Sequence, residues 1–450
     1  MAKKVLVIGG VAAGMSAASQ AKRRSPDTEV VVLESGLDVS YGACGMPYNI
    51  SDPKREMQDL VVITAGQFRE KRGLDVRLEH RAGEIDRSNK TVKGMSPDGN
   101  FEIGYDKLVI ATGARAVVPD LPGIDLDNVY TFHTLEDGRR LKQALKKFDK
   151  PARVLLAGAG YVGLELADAL ASLGHHVTMI KRKPKLLSWM DQALEDRLLK
   201  ELEKNSVDLV TGAGLDSIEK SGDLLLVKAG PNNFSADLAV VAVGIRPNSE
   251  IASAAGLDTG RFGEIMVDEE LKTNDPDIYA AGDCADAFHV VTGKRAWIPL
   301  ALRANRAGKI AGANTVGAGL KAPPVAGTQV FKLFSLEVAK SGLSLDQARA
   351  GNFEPVSIVI HASNRGHAFP GAGKMSVELV ADKRSGRLLG GQIVAEEGAA
   401  HRIDTIAAAL AAKMSAREFG GLDLAYAPPF GPTWDPLLVA ATQLIKKLEA

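Results

Sequence analysis

The stretch SYGACGMPYNI, Ser40–Ile50, sets one cysteine, Cys44, among small residues. Cysteine reacts as its thiolate, and a free thiol is only about a few per cent ionised near neutral pH. A redox role therefore needs surroundings that favour the charged form. A helix beginning near Cys44 would supply a positive dipole end. The other cysteine, Cys284, follows Asp283 in a predicted buried turn and reads as packing. Neither cysteine belongs to a CxxC pair, which argues against a zinc or thioredoxin-type site, and no metal is expected. Alone, Cys44 would read as a small buried hydrophobe; its flanking segments decide otherwise.

The segment before it reads KVLVIGGVAAGMSAASQAKRRSPDTEVVVLE, Lys4–Glu34, and a second copy reads RVLLAGAGYVGLELADALASLGHHVTMIK, Arg153–Lys181. Each is an apolar strand, a glycine turn, a small-residue helix and a second apolar strand, the pattern of a βαβ unit with a phosphate-binding turn. The glycines are Gly9 and Gly14, with Val11 between them, and Gly158, Gly160 and Gly163. Glycine lets the backbone approach a pyrophosphate, and the helix N-terminus offers free N–H groups to it. One such turn is weak; two between matching strands form an internal repeat.

The ends of the second strands differ. Glu34 closes the first copy, where a carboxylate accepts hydrogen bonds from a ribose and repels a 2′-phosphate. Lys181, Arg182 and Lys183 close the second, where bases attract a 2′-phosphate; the alternative is a solvated basic turn. One site suits a dinucleotide with a plain ribose. The other suits NADPH, with NADH as the second candidate. A chain holding two dinucleotides passes electrons between them, and the natural arrangement is NADPH reducing a bound flavin.

The composition agrees with such a machine. The 450 residues predict two or three domains, and 45% hydrophobic with 24% charged residues suit a globular chain. With 55 basic and 55 acidic residues, no general grip on nucleic acid is implied. No apolar run reaches membrane-spanning length. Two cysteines fit a reducing cytoplasm. The basic, apolar start superficially looks like a signal peptide, but its glycines have the use just given.

Four further motifs complete a resemblance. They are LVIATGA (Leu108–Ala114), VGIRPN (Val243–Asn248), DIYAAGDCAD (Asp277–Asp286) and YAPPFGPTWDPL (Tyr426–Leu437). Together with the repeat, they span the chain in the order of the flavin-dependent pyridine nucleotide–disulfide oxidoreductases. Within these the chain resembles the single-cysteine branch, the coenzyme A disulfide reductases and the NAD(P)H-dependent persulfide and sulfur reductases. The resemblance implies an α/β protein with two Rossmann-like dinucleotide-binding domains and a C-terminal α+β dimerisation domain. The FAD domain would comprise 1–115 and 246–323, the NAD(P)H domain 116–245 and the interface domain 324–450. The proline- and glycine-rich KAPPVAG, Lys321–Gly327, fits the last boundary.

The resemblance also implies roles. Ala111, Thr112 and Gly113 line the FAD crossover, and Asp283 holds the flavin's ribityl chain. Tyr161 and Glu165 lie near the nicotinamide, Tyr161 as a gate. Gly42, Ala43 and Gly45 fit a flavin lying close to the backbone. Most relatives carry a second cysteine five positions on, where this chain has Asn49. Cys44 would instead form a mixed disulfide with coenzyme A. Gln20, Arg23 and Ser40 match coenzyme A-site positions, although Lys22–Arg24 would also suit an exposed helix end. Tyr426, given by the partner in a homodimer, would serve the leaving thiolate. A second family tyrosine, in a motif usually read YYPG, is missing from AFPG, Ala368–Gly371, where both tyrosines become Ala368 and Phe369. That departure points to a smaller acceptor, a persulfide or polysulfide. His367 reads as an exposed loop histidine.

Two other functions stay open at this point. An NAD(P)H oxidase or peroxidase would cycle Cys44 through a sulfenic acid. Such relatives usually carry a histidine in the first glycine turn, where Ala12 stands here. A redox-sensing flavoprotein would hold FAD and turn over slowly.

Overall fold

The computed structural model describes residues 3–450. The first repeat copy opens a parallel five-stranded sheet. Its strands are β1 (Lys4–Ile8), β2 (Glu29–Leu33), β3 (Asp75–Arg77), β4 (Lys107–Ile110) and a late strand, Ile278–Ala280, in the order Ile278–Ala280, β4, β1, β2, β3. Continuous apolar runs such as VLVI belong to strands covered on both faces, and Val5, Leu6 and Val7 are fully buried. Helix α1 (Ala12–Arg24) crosses one face. It buries a small-residue side formed by Ala13, Ala17, Ala18 and Ala21, while Lys22–Arg24 sit in its last turn, favourable to the dipole.

The second copy builds a like sheet from β5 (Val129–Thr131), β6 (Arg153–Ala157), β7 (His176–Lys181), β8 (Asp208–Thr211) and β9 (Leu238–Val241), ordered β8-β7-β6-β9-β5 and wholly parallel. Helices α2 (Met46–Ser51), α3 (Leu135–Leu145) and α4 (Tyr161–Ser172) meet at the junction with the first unit, while α5 (Gln192–Lys204) packs beside β8. The chain enters and leaves the second unit through one antiparallel ribbon, Ala114–Ala116 against Ile245–Pro247. Asn248 Nδ2 ties that ribbon to Thr112 O at 2.9 Å. The late strand, written β10 (Ile278–Ala280), thus completes the first sheet after the whole second unit. Helix α6 (Ala301–Thr315) then returns to α1. The two backbones meet closely: a Cβ on Gly308 or Gly312 would stand 2.1 Å from Ala13 O or Ala17 O.

A third, antiparallel sheet carries β11 (Gln329–Leu333), β12 (Leu336–Gly342), β13 (Pro355–Ser363), β14 (Lys374–Asp382) and β15 (Leu388–Ala395), ordered β11-β12-β15-β14-β13. Helices α7 (Ala399–Ala411) and α8 (Pro436–Glu449) cover one face. The other face receives the second unit. Lys332 Nζ and Phe334 N both reach Asp168 Oδ2 at 2.8 Å, Ser335 Oγ reaches Glu201 Oε1 at 2.7 Å, and Arg197 donates to Lys374 O at 3.0 Å. Among the described residues no helix is long and apolar enough to cross a membrane, and no group of three metal-ligating side chains is present.

Candidate active site

The two glycine turns superimpose in their chemistry. Gly9 and Gly158 have φ of +102° and +113°, and a Cβ on either would stand 2.2 Å from Ala111 O or Ala242 O. Only glycine takes this backbone at such range. Gly14 and Gly163 pack back on Gly9 O and Gly158 O, where a Cβ would lie at 1.8 and 2.5 Å. Val11, in place of the middle glycine, caps α1 without a side-chain hydrogen bond. Gly160 faces open space, so a ligand has room against the backbone there.

The strand ends differ as their sequences do. Glu34 Oε2 accepts from Gly10 N and its Oε1 from Gly36 N, both at 2.7 Å, which fixes the carboxylate beside the first turn. Lys181 ends β7, half-buried, with Arg182 and Lys183 exposed after it. Burial, and then Lys183, lower the pKa of Lys181. An anion there would offset both effects.

Cys44 lies in a short turn of helix, Ala43–Gly45, directly before α2. Ser40 enters it in the left-handed region, φ +52°, and donates its N–H to Gly10 O at 2.9 Å. The redox segment is therefore hooked to the first glycine turn. Gly42 faces open space; Gly45 does not, since its Cβ would meet Leu60 at 2.5 Å. Asn49 is fully buried, donates to Glu56 O at 2.7 Å and leaves its Oδ1 without a partner. The end of α2 is held by Lys142, whose ammonium reaches Asn49 O at 2.6 Å, Asp52 O at 2.9 Å and Arg55 O.

From the other side, α4 presents Tyr161 and Glu165, and the turn after β10 presents Asp283. These groups share one field with Cys44. The expectation that the chain lowers the Cys44 pKa is corrected here. Cys44 is open to solvent in the single chain, yet partial desolvation by the walls around it, then the carboxylates of Glu165 and Asp283, push the thiol above its ordinary value, and its backbone hydrogen bond only partly opposes them. Burial, with Asp168 adding, likewise raises Glu165. Burial raises Asp283 against Arg303 and His133.

Sequence reasoning missed Tyr48. It stands four residues after Cys44, one helical turn on, and its hydroxyl donates to Glu165 Oε1 at 2.8 Å. Helical spacing from Cys44 was a signal for it; the partner, on the other nucleotide unit, was not. Lys142 was also missed. Cys284 is buried, with its Sγ 3.4 Å from Ile110 O and from Ala281 O, as packing requires.

The remaining candidates divide. Ala111 takes its place beside Gly9, with its N–H on Ile8 O at 2.8 Å; Thr112 meets Asn248, and Gly113 (φ +67°) faces open space. Arg23 is exposed and donates to Gln20 Oε1 at 2.8 Å, so this pair faces solvent from the end of α1. Tyr426 is not brought to Cys44 within one chain. It sits 52% exposed near Phe430 and Trp434, exposed 78% and 72%, on the third sheet's side of the molecule. His367 is exposed in its loop.

The site fits two dinucleotides. Asp283 Oδ1 is buried without any protein partner, as a hydroxyl-bearing ligand chain would require. Gly113 and Gly160 open on space that a side chain would fill. The donor set, N–H groups at α1 and α4 with Glu34 on one side and Lys181–Lys183 on the other, is that of nucleotide pyrophosphates and riboses.

Residues 3–308 match the family model described as pyridine nucleotide-disulphide oxidoreductase, and residues 328–436 match its dimerisation domain. The chain is 38% identical over 448 residues to a protein of Pyrococcus horikoshii named NAD(P)H coenzyme A polysulfide/persulfide reductase, covering 99% of each. It is 33% identical over 450 residues to a Methanocaldococcus jannaschii protein named NADH oxidase, again covering 99% of each. Among solved structures, a NAD-dependent persulfide reductase from A. fulgidus aligns with a TM-score of 0.95 and 35% identity, over 99% of this chain and 83% of that one.

Proposed function

The chain belongs to the pyridine nucleotide-disulphide oxidoreductases, and from that premise we propose that it reduces coenzyme A disulfide, or a related persulfide or polysulfide, with NADPH through Cys44. The observation that carries this reading is Cys44 itself: a solitary thiol at the seam of both nucleotide units, with buried Asn49 five positions on. Three relations support it: the match across both parts of the chain, the named activity of the Pyrococcus relative, and the fit of both nucleotide sites.

In this reading Gly9, Gly14, Glu34, Ala111, Thr112, Gly113 and Asp283 hold FAD. Gly158, Gly160, Gly163, Tyr161, Glu165, Lys181 and Arg182 hold NADPH. The division at 115, 245 and 323 goes with these assignments. Bound FAD supplies the two-electron link between NADPH and sulfur. The protein's own step is nucleophilic. The Cys44 thiolate forms a bond to one sulfur of the acceptor, the acceptor's S–S bond breaks, and the departing thiolate takes up a proton to leave as a thiol. With coenzyme A as the thiol, Gln20, Arg23 and Ser40 receive it, and Tyr426 from a second copy of the chain gives the proton.

The test is NADPH oxidation by the purified protein under argon with coenzyme A disulfide, coenzyme A persulfide or polysulfide, beside an aerobic control without acceptor. Turnover with a sulfur acceptor is expected, and Cys44→Ser should abolish it while keeping FAD. Retained turnover in that variant refutes the role of Cys44. The Methanocaldococcus relative named NADH oxidase favours a second reading, a sulfenic acid at Cys44; turnover in air alone would select it.

A further inference from the structure

The basic turn after β7 is held from outside its own unit. Arg182–Asp191 runs from β7 to α5 without helix or strand, and such a connection keeps its side chains in place only where its backbone is tied down. Glu195 of α5 ties the middle, accepting from Leu186 N at 2.9 Å and Leu187 N at 3.3 Å. The far end is tied by the third sheet. The Gln392 side chain, 1% exposed on β15, donates to Trp189 O at 2.9 Å and accepts from Asp191 N at 3.2 Å. An amide offers a donor and an acceptor from one plane, which neither a carboxylate nor an aliphatic chain can do. The neighbouring strand β12 adds Lys340, whose ammonium lies 5.0 Å from the centre of the Trp189 ring and donates to Gln347 Oε1 at 2.8 Å. Asp191 then caps α5 through Ala193 N at 2.8 Å. The backbone that Gln392 grips thus also sets where α5 begins.

We propose that Gln392 and Lys340 of the third sheet are specificity-determining positioning residues for the second unit: they fix the loop that carries Lys181, Arg182 and Lys183, and thereby favour NADPH over NADH. The proposal rests on the reading of that turn as the 2′-phosphate site. Three cations side by side repel one another, and burial with Lys183 already disfavours the charge on Lys181. A loose loop lets them spread and has to be ordered when a phosphate arrives, which costs affinity. A loop ordered in advance keeps that affinity. NADH carries no 2′-phosphate, so its binding draws on the glycine turn and the helix end and is indifferent to the anchor. Gln392 and Lys340 act through the Trp189–Asp191 segment and not on the nucleotide.

The test is calorimetric titration of the FAD-loaded protein with NADP+ and NAD+, which differ only in the 2′-phosphate. Gln392→Met, which keeps the length of the side chain and removes its hydrogen bonds, should weaken NADP+ about tenfold and NAD+ less than about twofold. Lys340→Met should act in the same direction by less, and gives a second route to the answer should Gln392→Met fold poorly. The limiting rate of flavin bleaching by saturating NADPH under argon should stay near wild type in both. Lys332→Met cuts a different tie between the second unit and the third sheet, Lys332 to Asp168, and should leave the NADP+ to NAD+ ratio as it is. A ratio unmoved by Gln392→Met and Lys340→Met overturns the anchor. Equal weakening of both nucleotides overturns it too, as the mark of a mere docking contact. Lys181→Glu with Arg182→Ala separates the two ideas. If that pair leaves the ratio unchanged, the 2′-phosphate site itself is misassigned and the anchor falls with it; if the pair moves the ratio and the third-sheet variants do not, only the anchor fails.

Discussion

At the scale of single residues, the two nucleotide units end their second strands in opposite charge, Glu34 against Lys181, and the proposed function assigns nucleotide choice to that difference. Glu34 is pinned by two backbone N–H groups, so it cannot swing away from a 2′-phosphate. Lys181 is half-buried and flanked by Lys183, a setting that makes its charge unfavourable until an anion arrives. One charge-assisted contact is worth about 1.5–3 kcal/mol. Lys181→Glu with Arg182→Ala should therefore lower the kcat/KM ratio for NADPH over NADH by about one to two decades. Steady-state kinetics with both nucleotides checks this, and an unchanged ratio would show the basic turn to be merely solvated. The places of Glu34 and Lys181 were legible because they are local: each stands at the end of the strand that follows a glycine turn and its helix. The contact of Tyr48 was not legible, because its hydroxyl donates to Glu165, 117 residues away on another unit.

At the scale of elements, α2 is the weak part that must be held. Six residues cannot sustain a helix alone. Its last carbonyls end on Lys142 of α3, a buried ammonium whose hydrogen bonds go to backbone oxygens. Lys142→Met would leave those carbonyls without a donor, and each buried unsatisfied group costs about 1–3 kcal/mol. The variant should lose about 2–4 kcal/mol of stability. Thermal unfolding of the holoenzyme reads this directly; an unshifted melting temperature would mean that other donors replace the ammonium. Nothing in the run LKQALKK sets this lysine apart from its exposed neighbours. The parallel sheets and glycine turns were readable as patterns of period and spacing, whereas the anchoring of α2 arises only when the second unit docks on the first.

At the scale of the whole molecule, the second unit rests on the third sheet over a buried polar row. Lys340, Gln392 and Glu378 lie side by side on β12, β15 and β14. Gln392 donates to Trp189 O at 2.9 Å, and the Lys340 ammonium lies 5.0 Å from the Trp189 ring centre. Glu378 is 1% exposed, its Oε2 has no partner, and burial, then Asp191, push its pKa up to about 7. Its folded value lies above its unfolded one. Its contribution is therefore whole below about pH 4.5 and lost as pH rises through about 7. Burial brings Lys340 down to about 8, so its contribution runs the other way, lost as pH falls from about 10.5 through 8. Between pH 5 and 7 the carboxyl dominates. Glu378→Gln should flatten the fall in melting temperature over that range and be the more stable protein at pH 8, by about 3 kcal/mol at most. Parallel slopes for variant and wild type would remove Glu378 as the cause.

The ribbon through which the second unit enters and leaves has a consequence for synthesis. The first sheet cannot close its β4 edge until β10 emerges, and about 170 residues separate Ile110 from Ile278. At roughly 5–20 residues per second, a ribosome leaves that apolar edge without its last neighbour for about ten to thirty seconds. During that interval the second sheet, whose strands all lie between Val129 and Val241, can already be whole. The nascent chain thus finishes its middle before its beginning, and the exposed edge of β4 is where a chaperone has something to hold.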